Sequence, residues 1–137
     1  MDTWQKVWRV GVQPLLSSAA LEALLKGLES DDPRILQRGT CSPPPLRCVL
    51  DWPVESACPI GYAFWQGERS GVANVAEVEE NFSSKCHDID QRVGEPAGCR
   101  WFLNWWDEAP RGEARVLLAQ EIRLELRQRR LDAAVPA

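Results

Sequence analysis

The sequence predicts an all-α fold, a single compact bundle of about six helices over residues 1–137 with one proline-rich connector. Three observations predict it. Apolar residues recur at helical spacing along most of the chain, capping residues precede those stretches and glycines follow them, and three successive prolines at 43–45 interrupt the pattern once. A chain of 137 residues with 45% hydrophobic residues has enough apolar material for one proper core.

Thr3–Val10 reads as a short helix capped by Asp2 or Thr3, with Trp4, Val7 and Trp8 on one face and Gly11 as its stop. Ser17 or Ser18 caps a second helix, where Leu21, Leu24, Leu25 and Leu28 form an apolar stripe. Asp31-Asp32-Pro33 is expected to start a third, short helix that ends at Gly39. Residues 40–48, with Pro43, Pro44 and Pro45, are expected to be extended and to act as a stiff connector. Lacking a clean P-x-x-P, they make a poor ligand for a proline-recognising domain.

Helix is expected to restart at Asp51-Trp52-Pro53, with Val54, Ala57, Cys58, Tyr62 and Trp65 at helical spacing and a kink at Pro59; a short strand over 60–65 is the alternative. Asn74 and Glu77 form a capping box for a helix over 75–93, whose apolar arc is Val75, Val78, Phe82, Cys86, Ile89 and Val93. Gly94-Glu95-Pro96 ends it and leads into a helix where Trp101, Phe102, Trp105 and Trp106 sweep around most of the circumference. That helix is expected to be the central element, with Trp105 in the middle of its apolar arc and Trp101 and Trp106 at the edges. A last helix from about 113 to 130 places Leu117, Leu118, Ile122 and Leu126 inward, with Leu124 and Leu131 pointing elsewhere. Residues 75–131 look like a three-helix subunit, and the final residues are expected to fray.

Composition narrows the function classes. No apolar run approaches a membrane span, and the N-terminal stretch lacks the apolar core of a signal peptide, so the chain is read as soluble and cytoplasmic with no membrane partner. The five cysteines, Cys41, Cys48, Cys58, Cys86 and Cys99, are then expected to be free thiols. No two of them have the close pairing of a structural zinc site. His87, the single histidine, lies on the polar side of the 75–93 helix near Glu80, Asp90 and Gln91 and reads as a solvated side chain. No phosphate loop, dinucleotide fingerprint or nucleophile elbow appears, so neither a cofactor nor enzymatic activity is supported.

The seven tryptophans exceed what a domain of this size needs for its core, and a surplus aromatic on a surface marks a protein interface. The leading expectation is a non-enzymatic interaction module, an adaptor or small subunit, binding another protein or itself through Trp101, Trp106 and Trp65. A second reading takes Arg123, Arg127, Arg129 and Arg130, at the end of the last helix, as nucleic-acid contacts. The net charge of −4 weighs against it. A third centres a small enzyme or metal site on His87.

Overall fold

A computed structural model describes residues 1–41, 51–96 and 98–134. Among them are six α-helices and no strand. Helix α1 (Thr3–Val7) continues into a wide π turn (Trp8–Val12) and a 3-10 turn (Gln13–Leu15); α2 spans Ser18–Glu29. Helix α3 (Pro59–Tyr62) runs on into a second π turn (Ala63–Glu68), and α4 (Val75–Val93), α5 (Gly98–Glu108) and α6 (Arg111–Ala134) follow.

The strongest local signals act as expected. The Ser17 hydroxyl accepts from the Ala20 amide at the start of α2, and Asn74 and Glu77 close a reciprocal capping box on α4. Gly94 ends α4 in the left-handed conformation, at φ 81°. Gly11 has a different role from the expected helix stop. It sits inside the π turn, where a Cβ would come 2.8 Å from Val93 Cγ2 and 3.0 Å from Ile89 Cγ2, so its bareness lets α4 approach.

Two expected helices do not form there. Asp31-Asp32-Pro33 starts no helix, because Asp31 has φ 52° and the Asp32 carboxylate accepts from the amide of Arg34, its guanidinium and the Tyr62 hydroxyl. Residues 51–58 are likewise non-helical. The amides of Val54, Ala57 and Cys58 donate to the carbonyls of Ala73, Arg34 and Thr40, so neighbouring chain takes the donors a helix would use. Helix begins only at Pro59, which opens α3 instead of kinking it, and residues 60–65 are helical, not a strand. Most of the proline-rich connector, residues 42–48, lies outside the described residues, as do residues 135–137.

The core is continuous. Trp8, Leu21, Leu24, Ile35, Ile60, Ile89, Phe102, Trp106, Leu118 and Ile122 are fully buried, drawn from every part of the fold. Helix α2 packs against both α6 and the π turn that follows α3, whereas α5 packs against α1 and α4. The principal partner of α6 is α2. Leu124 and Leu131 are exposed, as their phase implies.

Candidate functional site

Helices α1 and α5 lie side by side and leave a surface groove of ≈ 920 Å³, lined by Met1, Lys6, Arg9, Val10, Trp101 and Asn104 among others. Its apolar wall is exposed: Met1 at 80%, Val10 at 43% and Trp101 at 42%. Trp101 is the one exposed tryptophan of the seven. Among the described residues no carboxylate lines the groove, although the chain as a whole is acidic.

The aromatic packing beneath fixes the geometry. Trp4, on α1, stacks on Trp105, with ring centroids 3.6 Å apart and planes inclined by 4°. Trp8 tilts onto Phe102 at 5.2 Å. These pairs hold α1 against α5, so the outward positions Val10 and Trp101 are presented by two helices locked together. A second restraint comes from α6. Glu121 is buried and accepts from both Arg9 Nε and Nη2, at 2.8 and 2.7 Å, and from Gln5 Nε2 at 3.0 Å. The hydrogen bond to Glu121 raises the already high pKa of Arg9. The Arg92 guanidinium donates to the Val10 carbonyl from the α4 side.

The other two tryptophans proposed from the sequence are core residues. Trp106 is fully buried, donating its indole N–H to the Leu36 carbonyl at 2.7 Å, and Trp65 is 5% exposed, donating to the Gly71 carbonyl. Neither is placed to meet a partner. The centre of the α5 arc is Phe102 and Trp106, flanked by Cys99, so the expected roles of Trp105 and Trp106 are exchanged: Trp105 is only half-buried, under Trp4.

The arginine quartet does not act as one surface. Arg129 faces inward, donating to the carbonyls of Gln13 and Leu16 and to the Ser18 hydroxyl while pairing with Glu125. Arg123 pairs with Glu29 at 3.2 Å, and Arg127 and Arg130 are exposed. Two of the four are thus tied to the fold or to an acid. His87 is exposed, with its Nε2 3.2 Å from Gln91 Nε2. Among the described residues no group of three or more His, Cys, Asp or Glu is arranged to hold a metal ion, and no helix is long and apolar enough to cross a membrane.

Sequence reasoning missed a polar cluster at the end of α2. The Arg34 hydrogen bonds hold the Asp32 carboxyl well below the usual carboxylate range, against the opposing effect of burial. Burial, with the Asp32 contact, pushes the Tyr62 hydroxyl up to about 12. Arg115, 5% exposed on α6, donates to the Asp32 carbonyl at 2.7 Å and lies 3.1 Å from Asp31 Oδ1. The cluster joins α6 to the α2–α3 connection, with Arg115 Nη2 bonded to the Asp32 carbonyl and Arg115 Nε buried without a hydrogen-bond acceptor. No protein-family model matches the chain, and neither a curated protein nor a solved structure matches it.

Proposed function

We propose that the protein is a non-enzymatic interaction module whose docking face is the α1–α5 groove, and that its occupant is an acidic, amphipathic segment of another protein. One observation carries the reading: the one exposed tryptophan stands beside Val10 and Met1 in a groove whose charged lining is Lys6 and the Glu121-paired Arg9, on a chain of net charge −4. Exposed tryptophans flanked by a polar rim are the usual anchors of protein interfaces. The cations favour a partner with carboxylates beside its apolar residues. A rigid aromatic backing lowers the ordering cost of docking.

The test uses the full chain and a fluorescein-labelled helical peptide with leucines on one face and glutamates on the other. Saturable binding is expected, weakened about tenfold or more by Trp101→Ala and also weakened by Lys6→Glu. A counterpart with lysines for glutamates is expected not to bind. Equal binding of the two peptides, or of neither, overturns the reading. So does concentration-dependent dimerisation in sedimentation that Trp101→Ala abolishes, which would give the groove to a second copy.

A further inference from the structure

The geometry points to a second site, unrelated to the groove: we infer that Cys86 and Cys99 form a dithiol that low-molecular-weight disulfides of the glutathione class convert reversibly to an intramolecular disulfide joining α4 to α5. The two Sγ atoms lie 3.0 Å apart, close enough for one thiol to hydrogen-bond the other. Cys86 is half-buried on α4, whereas Cys99, the second residue of α5, is 3% exposed.

Two independent features hold the pair in register. The Cys99 amide donates to Asp90 Oδ1 at 2.8 Å, and Asp90 stands one turn beyond Cys86 on α4. Gly98 brings the start of α5 against the end of α4, since a Cβ there would be 3.0 Å from Val93 Cβ. Cys86 is partly exposed and Cys99 is buried, which sorts the roles. Cys86 is reachable by a small disulfide, and Cys99 is reachable only by Cys86. The hydrogen bond from Cys99 favours the Cys86 thiolate and correspondingly raises the Cys99 thiol. Burial pushes Cys58 up to about 12, and burial with Glu79 pushes Cys41 up to about 11, so neither competes as a nucleophile.

The exchange balances in two steps. The Cys86 thiolate attacks one sulfur of the small disulfide, forming a mixed disulfide and expelling one small thiolate. Cys99 then loses its proton to that thiolate or to solvent and attacks Cys86 Sγ, expelling the second small thiolate. Two protein thiols are oxidised and one small disulfide is reduced to two thiols.

The test exposes the reduced full chain to glutathione disulfide at neutral pH, alkylates the remaining thiols under denaturing conditions and maps the peptides. A linked Cys86–Cys99 peptide is expected, with Cys41 and Cys58 alkylated, reversal by dithiothreitol and a higher Tm for the oxidised protein. Cys99→Ser is expected to arrest the reaction as a glutathione adduct on Cys86. Cys86→Ser is expected to leave Cys99 unmodified. Full alkylation of all five cysteines in the wild type, a bridge to Cys58 in place of Cys99, or equal modification of Cys99 in Cys86→Ser overturns the inference; the wild-type peptide map decides even if a variant fails to fold.

Discussion

Trp4 and Trp105 lie face to face, ring on ring, 3.6 Å between centroids and 4° between planes. This stack joins the first helix to the fifth and makes Trp105 a structural residue without burying it completely. Trp106, one position on, is enclosed on every side, and Trp101, one turn back, faces solvent. The three tryptophans of α5 should therefore rank by burial. Alanine at 106 is expected to cost about 3–5 kcal/mol, at 105 about 2–3 kcal/mol, and at 101 no more than about 0.5 kcal/mol. Chemical denaturation of the three variants checks the order. Equal losses at all three would mean that Trp101 is core.

Backbone proximity gives a second expectation. A Cβ on Gly67 would fall on the Ala20 backbone, 2.8 Å from the Ala19 carbonyl oxygen, where the π turn after α3 crosses α2. Neither backbone has room to yield, so Gly67→Ala should destabilise by about 3 kcal/mol. Gly112, in the first turn of α6, has nothing within 4 Å of its missing Cβ. Gly112→Ala should stabilise by about 0.5–1 kcal/mol through the helix propensity of alanine. Thermal melting of the pair gives opposite signs if the packing is right.

Asp32 makes the fold sensitive to acid. Its folded-state pKa lies below the ordinary value near 3.8, chiefly because Arg34 hydrogen-bonds the carboxylate. A depressed pKa contributes stability that is present above the unfolded value and lost as pH falls from about 4 toward the folded value. Asp32→Asn should reduce stability at neutral pH by about 1.5–3 kcal/mol and flatten the decline below pH of about 4. Denaturation midpoints measured across that range provide the check. An unchanged acid limb in the variant would show that other carboxyls govern it.

The inward Arg129 and the outward Arg127 separate structure from surface on α6. Arg129→Ala removes the donors to the Leu16 carbonyl and the Ser18 hydroxyl and one of the two donors to the Gln13 carbonyl, and should cost about 1–3 kcal/mol. Arg127→Ala should change stability by no more than about 0.5 kcal/mol. Equal effects in urea titration would contradict the placement of Arg129.

Much of this arrangement was legible in the sequence where local rules act alone. The Asn74–Glu77 capping box, Gly94 and the apolar arc gave the bounds of α4, because caps and helical period need no tertiary partner. The Leu118, Ile122 and Leu126 stripe of α6 was legible, but the buried Arg115 and Glu121 on the same helix were not, and on α5 adjacent Trp105 and Trp106 are chemically alike, so only tertiary packing decides which is enclosed. The failed helices at 31–38 and 51–58 turned on long-range hydrogen bonds, from Tyr62 to Asp32 and from Ala57 to Arg34, that no local pattern encodes. The groove was half legible. A surplus tryptophan was visible, but its companions Met1, Lys6 and Val10 come from the other end of the chain.

The most direct test of the docking face is NMR titration of the full chain with the acidic amphipathic peptide, read on the seven tryptophan indole N–H signals assigned by single substitution. The Trp101 signal is expected to move most, the buried Trp8 and Trp106 signals to hold still, and a folded Trp101→Ala variant to bind at least about tenfold more weakly. Unchanged affinity in that variant, or shifts that spare Trp101 and fall elsewhere on the chain, would contradict the proposed docking face.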